Sequence, residues 1–294
     1  MKKILKKIAI LLLVKTKIIL LLEKRILRYR RFLYLNKSIF PIFKKRTKLD
    51  YYIISKLYFD EYYRNLKDQN IQRKISFSTL SCGEGAYWAK YYYDSQKGSM
   101  HRKYRSIIYS ETEKLIIDNK LDNSNVYFVN PGSSSGLDLM YFKEKFHNMN
   151  FISSDINEEI INFQKENTFK NITNIDYIIG PLEDVVEDIR LKFHNNPEIK
   201  IIFFTNGTIQ YVLPQFLDKA LSNLTNIKNK FYFCSSEQFR NNEKKDISFH
   251  VKNILWHHDC KKYIEKYDFK ISFYKKLDSS ENAINQSQNF VFSN

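Results

Sequence analysis

The sequence predicts an α/β fold in which a mainly parallel sheet is covered by helices on both faces. From residue 121 onwards, short apolar segments typical of strands alternate with longer amphipathic segments typical of helices. Such alternation builds parallel strands joined by helical crossovers. Four of the chain's seven glycines follow or end predicted strands: Gly132, Gly136, Gly180 and Gly207. Glycine at the carboxyl ends of strands lets a ligand approach the backbone closely, which predicts a binding site at that edge.

The elements follow one another in the order that this fold requires. Strands are predicted over residues 126–130, 151–155, 175–180, 199–205, 230–235, 269–275 and 289–293. Helices are predicted over residues 104–119, 137–147, 157–168, 182–193 and 214–225. Pro214 suits the first turn of the last of these helices.

Composition is typical of a globular protein with a substantial core. The 294 residues are 43% hydrophobic and 16% aromatic, which excludes a disordered chain. The three cysteines, Cys82, Cys234 and Cys260, form no CxxC pair. We therefore expect a reducing, cytoplasmic setting, with neither a disulfide framework nor a metal site.

Charge divides the chain into an arm and a body. The net charge is +16, and residues 1–48 hold 16 lysines and arginines against the single acid Glu23, a net charge of +15. We predict three parts: a basic amphipathic arm over 1–48, a helical extension or cap over 49–120, and a ligand-binding domain over 121–294.

The arm predicts an amphipathic helix with opposed basic and apolar faces. We expect residues 1–31 to lie on an anionic membrane surface, peripheral on the inner face. The alternatives are a signal peptide and a helix packed on the protein's own core. A transmembrane helix is disfavoured because Lys15 and Lys17 interrupt the apolar run. No nucleic-acid partner is expected, since following phosphates needs no wide apolar stripe.

The sharpest motif is the loop after the first predicted strand, Asn130-Pro131-Gly132-Ser133-Ser134-Ser135-Gly136. It is not a Walker loop, because neither Lys-Ser nor Lys-Thr follows Gly136. The second predicted strand ends at Asp155, 23 residues after Gly132. An acid at that position can accept hydrogen bonds from both hydroxyls of a nucleoside ribose.

These segments resemble the motifs of the class I S-adenosylmethionine-dependent methyltransferases. Residues 126–136 are similar to the first motif, 151–157 (FISSDIN) to the ribose-binding motif, 178–184 (IIGPLED) to the adenine-side motif and 201–212 (IIFFTNGTIQYV) to the fourth-strand motif. The resemblance covers about residues 121–294 and implies a Rossmann-like, seven-stranded sheet that binds S-adenosyl-L-methionine. Asn130 stands where an acid is usual, and Ser134 replaces the middle glycine.

The resemblance also implies roles for individual residues. Asn130, Gly132, Ser133, Ser134 and Gly136 would hold the methionine and ribose side of the cofactor, Asp155 the ribose hydroxyls and Ile156 the adenine. Glu183 or Asp184 would reach the adenine amino group or simply cap the following helix. Asn206 and Gln210 would face the substrate or bond within their own loop. Candidates for a general base are His257, His258 and Glu237.

Two subfamilies share short matches with the chain. Residues 203–212 and 256–269 resemble sugar O-methyltransferases of surface-polysaccharide clusters. Residues 91–99 and 109–113, with the fourth strand, resemble histidine-specific N-methyltransferases. We expect O-methylation of a sugar in surface-polysaccharide assembly, with a small molecule or glycan as substrate. The alternatives are N-methylation of an amino acid and a non-catalytic nucleotide-binding protein at the membrane surface.

Overall fold

A computed structural model describes Ala89, Tyr93 and residues 106–239, 248–252, 255–277 and 286–294. The predicted arm over 1–48 and, apart from Ala89 and Tyr93, residues 49–105 of the predicted extension lie outside the described residues, so both remain predictions. Contacts within the chain group Gly85–Phe249 with Trp256–Asn294 in one compact unit, and Met1–Glu84 with His250–Leu255 in a second. Among the described residues, no helix is long and apolar enough to cross a membrane.

The first unit confirms the predicted alternation of strands and helices. Its strands are β1 (Val126–Pro131), β2 (Asn150–Asp155), β3 (Ile175–Ile179), β4 (Lys200–Asn206), β5 (Phe231–Phe239), β8 (Lys270–Leu277) and β9 (Gln286–Ser293). Its helices are α1 (Ser106–Asp118), α2 (Leu137–Lys145), α3 (Glu158–Phe163), α4 (Leu182–Phe193), α5 (Pro214–Thr225) and α6 (Cys260–Lys266). Two short strands, β6 (Ser248–Lys252) and β7 (Leu255–His258), form a separate two-stranded sheet that the sequence analysis did not predict.

Seven strands form one sheet in the order β3-β2-β1-β4-β5-β9-β8. The first five strands in this order, β3, β2, β1, β4 and β5, pair in parallel with one another. Strand β9 is antiparallel to both β5 and β8. The order reverses at β1 and β4, because the chain builds outwards from β1 in one direction and then returns to its other side. In open α/β sheets, ligands bind beyond the carboxyl ends of the strands at such a switch point.

Each face of the sheet is buried by a different set of helices. One face packs against α4, α5 and α6, and we call it the α5 face; its sheet residues include Ile201, Phe203, Phe231, Phe233, Phe290 and Phe292. The other face packs against α1 and α2, and we call it the α1 face; its sheet residues include Phe128, Phe151, Ile202, Phe204, Cys234 and Val291. Residues two apart on a strand share a face, so each position near the sheet edge can be assigned to one side.

Helix α1 belongs to the same compact unit as the sheet, although the predicted domain boundary at residue 121 leaves it outside. It contacts β5 and β9. Tyr109 is 2% exposed, stacks on Phe142 of α2 and meets Phe204 edge to face. The apolar positions of α1 therefore cover the α1 face as those of α5 cover the opposite one.

The predicted helix over 157–168 is divided into two parts. Asn157 caps α3, since its side-chain oxygen accepts a hydrogen bond from the Glu159 amide at 2.9 Å. Residues Gln164–Thr168 form a π-helical turn directly after α3. Such turns are frequent at functional sites because they redirect side chains out of the regular helical pattern.

Candidate functional site

The loop between β1 and α2 contains three residues in the left-handed conformation. Gly132, Ser134 and Gly136 have φ angles of 65°, 52° and 78°. A Cβ on Gly132 would lie 2.5 Å from the Cγ2 atom of Thr208, and one on Gly136 would lie 2.7 Å from the ring of Phe169. Ser134 keeps the left-handed backbone although it carries a side chain, at a cost of roughly 1–2 kcal/mol. This departure from the usual motif therefore changes the side chain and leaves the loop in a left-handed turn.

The same loop contacts the end of β2 directly. The Ser134 amide donates to Asp155 Oδ2 at 3.0 Å, and the Asn157 amide donates to Oδ1 at 3.0 Å. The predicted partners Ser134 and Asp155 are therefore adjacent in the folded chain. The structure brings two of the predicted motifs together at the switch point of the sheet.

Side chains of the π-helical turn form hydrogen bonds with the loop between β1 and α2. Gln164 is fully buried, and its Nε2 atom donates to Ser133 Oγ at 2.8 Å and to the Ser134 carbonyl at 2.7 Å. The Ser153 hydroxyl donates to Gln164 Oε1 at 2.6 Å, and the Thr168 hydroxyl donates to the Ser135 carbonyl at 2.6 Å. The sequence analysis missed Gln164 and Thr168. Their only sequence signal is two polar residues on the buried side of a helix, which does not by itself indicate a role.

Burial dominates the electrostatics of Asp155. The side chain is 6% exposed, and desolvation raises the pKa of its carboxyl from 3.8 to about 6, although its backbone hydrogen bonds oppose that rise. The carboxylate is therefore ionised at neutral pH but held at an energetic cost. The carboxylate accepts backbone hydrogen bonds from Ser134, Asn157 and Ile156. Since a carboxylate can accept about four, capacity remains.

Asn130 lies at the position where the family's first motif usually has an acid. It is 1% exposed, and its Nδ2 atom donates to the Phe204 carbonyl at 2.8 Å. Its Oδ1 atom is buried and has no hydrogen-bond partner in the described part of the chain. The side chain therefore ties β1 to β4 through one atom and leaves a free acceptor on the other.

The three adenine-side candidates lie at the ends of β2 and β3. Ile156 is half-buried directly after Asp155. Glu183 is 2% exposed, and the Asp184 carboxylate lies 3.6 Å from Lys219 Nζ. Both acids occupy the first turn of α4, where negative charge is favourable. This geometry suits a cap as well as an adenine contact, and both interpretations stay open.

Glu237 organises the loop that follows β4. Its carboxylate accepts from the hydroxyls of Thr205 and Ser235 at 3.2 and 3.1 Å, and from the amides of Thr208 and Gln210 at 3.2 and 3.4 Å. The Gln210 side chain donates to the Gly207 carbonyl at 2.9 Å. These contacts favour a positioning role for Glu237 and give Gln210 a bond within its own loop.

The two histidine candidates are both buried. His258 is 2% exposed, its Nε2 atom lies 3.0 Å from the Val212 carbonyl, and its Nδ1 atom lies 2.7 Å from Ser248 Oγ. A carbonyl can only accept, so Nε2 carries the proton and Nδ1 accepts from the serine. Burial lowers the pKa of His258 to about 4, and the bond to the Val212 carbonyl only partly opposes this effect. With both ring nitrogens engaged, His258 is better suited to a structural role than to proton transfer, whereas His257 is buried at 4% exposure.

Metal ligation does not explain these acids and histidines. Within the described ranges, no group of three or more His, Cys, Asp or Glu side chains is placed to hold a metal ion. The buried thiols of Cys234 and Cys260 are free, and burial raises the pKa of Cys234 to about 12.

Comparisons with known proteins bear on the fold. No protein-family model and no curated protein sequence matches the chain. Among solved structures, the chain is similar to magnesium protoporphyrin IX methyltransferase from Synechocystis PCC 6803 with bound S-adenosylhomocysteine, with 13% identity, a TM-score of 0.51 and coverage of 75% of this chain and 99% of that one. Weaker similarities include a Burkholderia thailandensis 1,6-didemethyltoxoflavin-N1-methyltransferase (10% identity, TM-score 0.47, 71% and 86% coverage) and an Aquifex aeolicus methyltransferase (11%, 0.43, 61% and 88%).

The strand order, the single antiparallel strand β9 and the Synechocystis match agree with the fold class that the sequence predicts. The chain has the Rossmann-like, seven-stranded fold of the class I S-adenosylmethionine-dependent methyltransferases.

Proposed function

We propose that the chain binds S-adenosyl-L-methionine and transfers its methyl group to a small molecule or glycan. The observation that carries this proposal is the hydrogen bond between the Ser134 amide and the Asp155 carboxylate, which joins the glycine-containing loop to the acid at the end of β2. This juxtaposition lies at the switch point of the sheet, where the fold places nucleoside ligands.

The residues at this edge fit the chemical groups of the cofactor. Asp155 carries the free acceptor capacity that the ribose hydroxyls need, and Ile156 supplies an apolar surface for adenine. The orphaned Oδ1 atom of Asn130 is an acceptor for the cofactor's ammonium group. A neutral amide replaces the usual carboxylate there, so this contact lacks charge assistance and should be weaker.

The bound cofactor supplies an electrophilic methyl group, and the protein supplies alignment and the removal of a proton. Glu237 is held by hydroxyl and amide donors, so we assign it to shaping the loop after β4. His258 is neutral and engaged at both nitrogens. We therefore assign neither of these two residues as the general base, and His257 stays a predicted candidate.

For the acceptor we propose a sugar hydroxyl. The support is the resemblance of residues 203–212 and 256–269 to sugar O-methyltransferases, given above. N-methylation of an amino acid is the second candidate. A non-catalytic nucleotide-binding protein is the third, and it is favoured by the two departures in the first motif, Asn130 and Ser134.

Calorimetry with S-adenosylhomocysteine tests the proposal on the full-length protein. We expect saturable binding that Asp155→Ala weakens by about 1–3 kcal/mol, since charge-assisted hydrogen bonds to the ribose are lost. Asp188→Ala, which removes an exposed acid of α4, is the matched control and should bind normally. Binding of NAD in place of S-adenosylhomocysteine would refute the methyltransferase assignment.

We also propose that the basic arm attaches the protein to an anionic membrane surface, on the inner face. The support is its charge of +15 beside an apolar stripe. Full-length protein should sediment with anionic vesicles and be only partly released by salt, because salt screens charge but not apolar insertion. A chain lacking residues 1–48 should stay in solution and still bind S-adenosylhomocysteine. Equal sedimentation of both chains would exclude this role for the arm.

A further inference from the structure

A row of polar side chains crosses three neighbouring strands at the carboxyl edge of the α1 face. Asn206 on β4 pairs in register with Ser236 on β5, and Ser236 pairs with Asn289 on β9. Each lies two residues from an apolar member of the α1 face, so all three share that face. Ser287 lies two residues beyond Asn289 on the same side of β9.

The polar atoms of these side chains are buried, although Asn206 as a whole is half-buried. Ser236, Ser287 and Asn289 are 2%, 4% and 0% exposed. Both amide atoms of Asn206 and Asn289, and the hydroxyl oxygens of Ser236 and Ser287, have no hydrogen-bond partner among the described residues. A buried polar group without a partner costs roughly 1–3 kcal/mol. Four such residues on one face at one edge are therefore costly unless something else bonds to them.

The row lies beside the proposed cofactor loop. Strand β4 is the neighbour of β1, and the Thr208 hydroxyl just beyond Asn206 donates to the Pro131 carbonyl at 3.3 Å. The free Oδ1 atom of Asn130 also belongs to the α1 face, because Asn130 lies two residues after Phe128. A ligand bonded to the row would therefore lie next to the methionine end of the cofactor, where a methyl group is transferred.

The hydrogen-bonding groups of the row indicate which class of ligand it can bind. Amides and hydroxyls both donate and accept, and none of the four residues is ionisable. Lys275, opposite Asn289 on the edge strand β8, is exposed. A charged ligand buried against neutral groups would lose its hydration without gaining a counter-charge. A molecule with several hydroxyls would instead satisfy donors and acceptors together. Three adjacent strands span about 10 Å, which suits a small molecule.

We infer that Asn206, Ser236 and Asn289, with Ser287, bind the methyl acceptor, and that the acceptor is an uncharged polyhydroxyl compound of the sugar class. This inference rests on the proposed methyltransferase function, which it deepens by favouring the sugar over the amino-acid acceptor.

The test titrates full-length protein with four uncharged sugars, namely glucose, galactose, N-acetylglucosamine and rhamnose, and with histidine and glutamate, each with and without S-adenosylhomocysteine. We expect at least one sugar and neither amino acid to bind. Ser236→Ala and Asn289→Ser should each weaken sugar binding by about tenfold, the effect of one lost hydrogen bond. Their affinity for S-adenosylhomocysteine should be unchanged. Ser222→Ala and Asn195→Ala change exposed residues and should match the wild type.

The outcomes separate the two claims. Failure of wild-type protein to bind S-adenosylhomocysteine refutes the proposed function, and the titration without it still tests the row. Binding of histidine or glutamate in place of sugars, or of none of the six compounds, overturns the acceptor class. Sugar binding that both row variants leave intact overturns the assignment of the residues. A loss of stability in both variants without a change in binding means that the row serves the fold through buried water.

Discussion

On strands β4, β5 and β9, the two faces of the sheet treat polar side chains at its carboxyl edge in opposite ways, whereas on β2 the bonded residue, Ser153, lies on the α1 face. On the α5 face, Thr205, Ser235 and Gln288 are all hydrogen-bonded within the chain. On the α1 face, their immediate neighbours Asn206, Ser236 and Asn289 carry side-chain atoms without partners in the described residues. The residue types are nearly the same, so chemistry alone does not explain the difference. On these three strands, the polar side chains of the α5 face hold neighbouring segments together, whereas those of the α1 face are the ones that we propose bind a ligand.

We expect the largest effect on this contrast at Glu237, the residue whose carboxylate accepts the hydrogen bonds of the α5 face. Glu237→Ala leaves two amides and one hydroxyl without their acceptor, since the Thr205 and Ser235 hydroxyls can still bond to each other, so we expect the free energy of unfolding to fall by about 3 kcal/mol. Glu237→Gln keeps one acceptor oxygen and should cost about 1 kcal/mol. Urea unfolding measures both, with the exposed Glu166→Ala as control. A stable Glu237→Ala protein that has lost only activity would instead identify Glu237 as a catalytic base.

The second largest effect is expected in the loop between β1 and α2. Gly132→Ala places a Cβ against Thr208 in a backbone conformation with φ of 65°, so it should cost about 2 kcal/mol or force the loop to move. Affinity for S-adenosylhomocysteine should fall by about tenfold or more. Gly180→Ala is the matched control, because its Cβ would meet only Asp184 Cβ at 3.9 Å. Equal affinities in the two variants would mean that the loop does not contact the ligand.

The third effect is a pH dependence at Asp155. In the proposed complex, ribose hydroxyls donate to the ionised carboxyl of Asp155, whose pKa burial raises to about 6 in the free protein. Affinity for S-adenosylhomocysteine should therefore be constant above pH 7 and fall by up to about tenfold for each pH unit below 6. Stability has the opposite sign: the folded pKa lies above the ordinary value of 3.8, so this group stabilises the fold as pH falls from about 6 towards 4. Calorimetry on Asp155→Asn should show a nearly flat profile; an unchanged slope would assign the proton to another group.

The smallest effect sharpens the comparison most directly. Ser235→Ala removes a hydroxyl that bonds to Thr205 and Glu237, and it should lower the free energy of unfolding by about 1 kcal/mol. Ser236→Ala removes the adjacent hydroxyl on the other face and should leave stability unchanged or slightly raised, because no bond among the described residues is lost. Urea midpoints of the two variants give the contrast. Equal losses would show that the α1 face is as fully bonded as the α5 face.

Local patterns predicted most of the fold. The bounds predicted for α4 and α5 agree with the structure to the residue, because an amphipathic repeat and a proline at the first turn are properties of the local sequence. The π-helical turn, β6 and β7 were missed. A π turn depends on what its side chains contact, and here Gln164 and Thr168 contact a loop about 30 residues earlier.

The sequence predicted which segments form the site, but it did not predict the hydrogen bonds that connect them. The loop over 130–136 and Asp155 are recognisable from glycine spacing and an acid at a strand end, and the structure brings them into contact. The role of Glu237 as the centre of four hydrogen bonds was missed. The hydrogen-bond partners of Glu237 lie in three separate segments: β4, the loop after β4, and β5. No rule of sequence spacing links these segments.

The sequence by itself determined the alternation of strands and helices from β1 to β5, the charge division between residues 1–48 and the rest of the chain, and the glycines and the acid at the ends of β1 and β2, because these follow from local periodicity and composition. Only the tertiary structure decided which face each edge residue occupies and whether its polar atoms have partners. Asn206, Ser236 and Asn289 are 83 residues apart along the chain from first to last. They become neighbours because β9 inserts antiparallel between β5 and β8, and a register of that kind is set by packing across the whole sheet.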